Sequence, residues 1–200
     1  MARTVDVEKY AHNRQHVLDC AAALFAKRGY ERTTTALICS QAGISPGKLY
    51  HYFTSKKQVF LAVLSQDEQD TKMLLESLVS DPDPLEALLA YVAHLAEPAA
   101  AHPMVPQLVL EAMLQAHRDP EVRQELERVD QGEKEGIRLL MRRAADADQI
   151  GRSLAIDHAA SWISAMVSAV YLNAALDPDF DAAGHIPQLV VTVRAFLAVS

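Results

Sequence analysis

Residues 33–57, TTTALICSQAGISPGKLYHYFTSKK, admit few folds, because a tight turn and three helix starts fall within one short unit. A first helix begins in the cluster Thr33, Thr34 and Thr35, whose hydroxyls suit an N-cap, and runs through Ala36, Leu37, Ile38 and Cys39 to Ala42. Gly43 ends it, since glycine takes the left-handed conformation needed just past a helix C-terminus, and Ile44 plugs the inside of the corner. Ser45 caps the next helix, with Pro46 at its first position, where a missing N–H costs nothing. The unit reads as a helix-turn-helix.

Its charges are placed against their helices. Lys48 lies in the first turn of the second helix, and Lys56 and Lys57 follow the expected cap Ser55 in the first turn of the next. An ammonium there faces the positive end of the helix dipole and is disfavoured by roughly 0.3–1 kcal/mol. A bound phosphate reverses that sign, so the three lysines predict an external anion. Gly47 lets backbone come close to a ligand, and Tyr50, His51 and Tyr52 put flat side chains with polar tips beside the lysines. The net charge of −7 argues against nucleic acid until its distribution is considered: residues 1–57 carry nine Lys/Arg against four acids, +5, which leaves −12 for the rest. A basic head on an acidic body directs attraction to phosphate onto one face.

Past the head, apolar periodicity predicts a rod-like helix from Ser55 to about Val79, then helices over about Leu85 to Glu97, Val105 to His117, Pro120 to Ala147, Asp157 to Leu176 and Pro187 to Val199. The segment AEPAAAHPMVP reads as an irregular turn, DPDFDAAGH as a stop, and Gly132 with Gly136 as weak points of the long charged helix. No alternating pattern supports a sheet, so the expected fold is all-α, about nine helices, with a head over residues 1–57 and a body over 58–200. Residues 159–176 run uncharged at the lower limit for crossing a bilayer, but Ser161, Ser164, Ser168 and Asn173 interrupt them and no Lys/Arg cluster anchors them. They are expected to be a core helix, one face on its own domain and the other on a second subunit. No signal peptide is visible, which predicts a cytoplasmic chain, and half of the residues being hydrophobic excludes disorder.

Catalytic signals are weak. Gly43 to Lys48 is one residue short of a phosphate loop, is followed by Leu49, and has no strand before it. The eight histidines lack an HxxxH-type pair, and Cys20 and Cys39 lack metal-ligand spacing, so buried thiols are expected and no cofactor or metal. An enzyme is not the expected reading.

The head resembles the DNA-binding domain of the tetracycline-repressor (TetR) family. The resemblance rests on Ala21, Ala22, Leu24, Phe25, Gly29, Tyr30, Thr33 and Thr34, then Ala42, Gly43, Ile44 and Ser45, with Gly47, Leu49, Tyr50, Phe53 and Lys56. It covers about the first quarter of the chain, and departs from the family pattern at Cys39 and Tyr52. It implies a homodimer through the last two helices, a body enclosing a small-molecule pocket, and paired recognition helices that bind a pseudo-palindromic double-stranded operator. On this pattern Thr34, Thr35, Ser45, Pro46, Gly47, Tyr50, His51, Tyr52 and Lys56 belong to the DNA face, mainly on phosphates, with Lys48 the candidate for a base edge. Met113, His117, Trp162, Met166 and Tyr171 are the candidate pocket residues, and Ser161, Ala165, Ser168 and Ala169 permit close helix approach, while Leu189, Val190, Val193, Phe196 and Leu197 are available for burial. Effector binding would tilt the rod helix and spread the heads. Three alternatives stay open: a ligand-independent DNA-binding factor, a small-molecule carrier that has lost DNA binding, and a helical enzyme.

Overall fold

The computed structural model describes residues 2–151 and 154–198, with side chains from residue 8 onward. Among the described residues the chain is all-helical: α1 (Ala2–Arg28), α2 (Thr35–Ala42), α3 (Pro46–Tyr52), α4 (Lys56–Leu64), α5 (Glu68–Leu78), α6 (Pro84–Ala101), α7 (Met104–Ala116), α8 (Pro120–Asp146), α9 (Ile156–Leu176) and α10 (Ala182–Ala198). Val199, the expected end of the last helix, lies outside the described residues.

The expected class holds, and the count rises to ten because the single rod is two helices. The chain breaks over residues 65–67, where Ser65 closes α4 and Asp67 opens α5. The polar stretch there has no apolar stripe to carry a helix across, and α5 has no buried residue. Arg128 of α8 grips the joint through Glu68 of α5 at 2.6 Å and Glu125 of its own helix at 2.8 Å.

Proline signals were weaker than expected. α6 runs through Pro98 to Ala101, so the irregular turn shrinks to His102 and Pro103. An internal proline removes one intrahelical hydrogen bond, and the flanking alanines tolerate that near a helix end. Likewise α10 starts at Ala182, upstream of Pro187, where Asp181 accepts a hydrogen bond from the backbone N–H of Gly184 at 3.0 Å. Gly132 and Gly136 do not interrupt α8.

Two apolar cores organise the chain. The body core centres on Leu88, Tyr91 and Val92 of α6, Ile137, Leu140 and Met141 of α8, Ile163 of α9 and Val193 and Leu197 of α10. α9 is long and apolar enough to cross a membrane, yet its Ala160, Ile163 and Val167 side sits inside this core, as a core helix requires. The head core joins Val17, Leu18, Ala21 and Phe25 of α1 to Ile38 and Ala42 of α2, Leu49 of α3 and Val59, Phe60 and Val63 of α4. It continues into the body through Leu108 and Ala112 of α7 and Val122 of α8. Head core thus extends past residue 57 and is shared with the body.

Candidate nucleic-acid interface

The turn between α2 and α3 is built by short polar contacts. Thr34 is extended (φ −111°, ψ 157°) and its hydroxyl accepts from the N–H of Leu37 at 3.2 Å. Thr33, expected in the same cap, instead turns inward, fully buried, with its hydroxyl at 2.9 Å from the Gly29 carbonyl and 3.2 Å from that of Leu24. It ties the end of α1 to the start of the unit. Gly43 sits at φ 64°, ψ 33°, and the next N–H, of Ile44, donates to the Cys39 carbonyl at 3.0 Å, so the helix end is closed by a left-handed cap. Ser45 accepts from the Lys48 N–H at 3.3 Å, and Ser55 accepts from that of Gln58 at 3.1 Å.

Leu49, 1 % exposed, pins α3 to the head core from below. The opposite side leaves Thr34, Ser45, Pro46, Gly47, Lys48, Tyr50 and His51 exposed, while Thr35, Tyr52 and Lys56 are half-buried at its edge. None of the ten candidate residues is buried. Space does not explain Gly47, since a Cβ there would meet nothing within 4 Å.

The three lysines part company. Lys48 is exposed and makes no ion pair among the described residues. Lys56 donates to the Tyr30 carbonyl at 2.8 Å, with its Nζ 4.0 Å from the centre of the Tyr30 ring. Lys57 is neutralised from within the chain: its Nζ lies 2.9 Å from Asp119 and 3.0 Å from Glu121, at the start of α8. The expectation that all three await an external anion is corrected for Lys57. Two helix N-termini meet there, and the acids that suit the start of α8 supply the charge that the start of α4 demands. Hydrogen bonds to Asp119 and Glu121 hold the Lys57 ammonium above its usual range, and the bond to Lys57 holds the Asp119 carboxyl below its own.

One member of this surface was not anticipated. Tyr10, on α1, packs with its ring tilted by 59° and centred 4.8 Å from that of Tyr52 and edge-on at 5.7 Å against His51, and the Arg14 guanidinium lies 5.0 Å from the Phe53 ring centre. The signal available was spacing: Tyr10, Arg14, Val17 and Ala21 recur at intervals of three and four, which carries α1 beyond the head core on a single face. Tyr52 is thereby a packing residue at the rim of the surface.

The five pocket candidates do not converge. Met113 and Tyr171 meet, with Pro106, Val109, Leu110 and Leu172, in an apolar hollow too narrow to hold a water. The Tyr171 hydroxyl donates to the Leu95 carbonyl at 2.7 Å. Met166 packs on the body core, His117 is exposed at the end of α7, and Trp162 is 58 % exposed on the outer side of α9. On α10, Leu189, Val193 and Leu197 are buried in their own body, which leaves Val191 outward with Leu172 and Leu176 of α9.

Glu133 of α8 is the interior group that sequence reasoning missed. Mostly buried, it accepts no hydrogen bond from the described residues, and burial, reinforced by Asp130 and Glu68 against the pull of Lys134, pushes its carboxyl up to about 7. Its folded pKa exceeds the unfolded one, so the folded chain holds the proton more tightly, and stability falls as pH rises from about 4.5 to about 7. Glu133→Gln is expected to remove this loss. Thermal unfolding at pH 8 should show the variant more stable by at most roughly 3 kcal/mol, with the two proteins converging near pH 4; a variant less stable at pH 8 would show that the ionised carboxylate is needed.

Comparison with known proteins agrees with this geometry. Residues 17–63 match the model of bacterial regulatory proteins, tetR family. The chain is similar to the HTH-type transcriptional regulator UidR of Escherichia coli (strain K12), 30 % identical over 113 residues, 54 % of each chain. It thus spans about half the length of the curated relatives it first matches. Among solved structures, the fatty acid degradation regulator FadR from Bacillus halodurans superposes with a TM-score of 0.83 at 19 % identity, over 92 % of this chain and 96 % of that one. SmeT, the repressor of the Stenotrophomonas maltophilia multidrug efflux pump SmeDEF, superposes with a TM-score of 0.77 at 24 % identity, over 94 % and 91 %, and has also been solved as a triclosan complex. At such identities the structural matches establish the fold alone.

Proposed function

We propose, from the premise that this chain belongs to the tetR family of bacterial regulatory proteins, that it is a cytoplasmic transcriptional regulator. It acts as a homodimer that places two copies of α3 in successive major grooves, roughly 34–36 Å apart, and represses by occupying a pseudo-palindromic operator. The observation that carries this reading is the exposed surface of Ser45, Gly47, Lys48, Tyr50 and His51 over a pinned Leu49, on a head with a charge of +5. Trp162, Leu172 and Leu176 of α9 and Val191 of α10, 58, 42, 64 and 58 % exposed, supply the apolar face for the second subunit, with Ala165 and Ala169 allowing close approach.

A small-molecule effector releases the dimer if it binds the spread state better than the DNA-competent one; tight binding alone shifts nothing. SmeT, solved in complex with triclosan, supports a ligand-taking body. The filled hollow between Met113 and Tyr171 favours a second reading, a ligand-independent factor whose body only dimerises. Calorimetric titration against candidate compounds separates them, since a ligand-independent factor gives no heat.

Selection of random oligonucleotides with purified protein tests the main reading, and should enrich a two-fold symmetric site. Lys48→Ala is then expected to weaken that site by roughly 5- to 150-fold and to relax preference at one base pair per half-site. Unchanged affinity and unchanged base preference in a mobility-shift titration would remove Lys48 from the interface.

A further inference from the structure

Lys57 stands in the first turn of α4, next to the DNA-face candidate Lys56 and five residues after the end of the recognition helix. An ammonium has three hydrogens, and here two acidic side chains of the body hold it, Asp119 at 2.9 Å and Glu121 at 3.0 Å. Their positions are fixed. Pro120 opens α8, Asp119 uses Oδ1 to cap the Glu121 N–H at 2.9 Å and keeps Oδ2 for Lys57, and the Asp119 N–H is anchored to the Gln115 carbonyl at 2.8 Å. Two carboxylates beside the ammonium repel a third anion, so a phosphate reaches Lys57 only by displacing them. Exposure of 30, 25 and 62 % for Lys57, Asp119 and Glu121 makes that exchange cheap.

Resting on the DNA-binding reading above, we propose that Asp119 and Glu121 act as an internal substitute for DNA phosphate, so that the body and the operator compete for Lys57. The same end of α7 is tied to the other lysine of the pair. Gln115 donates to Glu111 at 3.0 Å, Glu111 takes the Tyr30 N–H at 2.7 Å, and the Tyr30 carbonyl holds Lys56 at 2.8 Å. A displacement of α7 and the start of α8 away from the head frees Lys57 and strengthens DNA binding; a displacement that seats them weakens it. Regulation of the DNA face thus passes through two carboxylates at a helix start.

The test is a charge cycle on the full chain, with the operator found by oligonucleotide selection as probe. Asp119→Asn with Glu121→Gln keeps the cap and the volume, and is expected to raise operator affinity by about two- to five-fold per half-site. The slope of log affinity against log salt should steepen by about 0.9 per protomer, one phosphate contact each. In a Lys57→Gln background both changes should vanish. Equal gains in that background would mean that the two acids act only through the general field and would overturn the competition, as would an unchanged slope. Tight wild-type binding that none of these variants alters defeats the competition alone. If no version, wild type included, enriched or bound an operator, the DNA-binding reading would fall and the competition with it.

Discussion

Phe60→Ala is expected to cost about 3–5 kcal/mol of stability and to lower it for the whole chain in a single transition. Phe60 is fully buried, its ring 4.9 Å from Phe25 in a T-shaped pair and 5.0 Å from Tyr30, so truncation opens the aromatic cluster that joins α4 to α1. Neighbours cannot collapse into the gap, because Phe25 is held by α1 and Ile38 by a short, doubly capped helix. A head that folded alone would melt first. Here the head core includes Leu108 and Ala112 of α7 and Val122 of α8, so loss of packing at Phe60 is felt on both sides of the seam. Urea unfolding followed by circular dichroism should stay cooperative, with a lowered midpoint and an unchanged slope. Phe60→Leu should cost much less. A biphasic curve, or a loss under about 1 kcal/mol for the alanine, would show that the head is an independent folding unit.

How far the residues announced this structure depended on how local the signal was. The turn at Gly43, the caps Ser45 and Ser55 and the proline start of α3 are decided by a few adjacent atoms, and each forms where the letters predict. The break over residues 65–67 was visible only as polar composition, which marks a lack of burial rather than a helix end. Pro98 and Pro187 misled because a proline near a helix terminus costs little when neighbours favour the helix. On α3, which side chains stay outside was legible because period and capping fix Leu49 as the inward residue. The capture of Lys57 was not. Asp119 is 62 positions away along the chain, and only the packing of α4 on α8 brings it to 2.9 Å. Three of the five pocket candidates lie apart from the Met113–Tyr171 hollow for the same reason: residue type at helical spacing does not say which neighbour a side takes.

Gly132 and Gly136 sit on one helix, one turn apart, and their alanine variants are expected to move stability in opposite directions. At Gly132 a Cβ meets nothing within 4 Å, so Gly132→Ala gains the helix propensity of alanine, about 0.8–1 kcal/mol. At Gly136 a Cβ would lie 2.5 Å from the Tyr91 hydroxyl oxygen and 2.7 Å from two carbons of its ring. Tyr91 is 1 % exposed and walled in by the body core, so the ring cannot swing away and α6 must move off α8 instead. Overpacking of that kind costs about 1–3 kcal/mol or more, which exceeds the propensity gain. Gly136→Ala should therefore lower the melting temperature by several degrees, while Gly132→Ala raises it. Shortening the obstructing ring separates strain from any intrinsic need for glycine. In a Tyr91→Leu background, itself destabilised, Gly136→Ala should become neutral or stabilising, because the clashing atoms are gone and the propensity remains. If the penalty persisted there, the close approach of Tyr91 would not be the reason α8 carries glycine at that position.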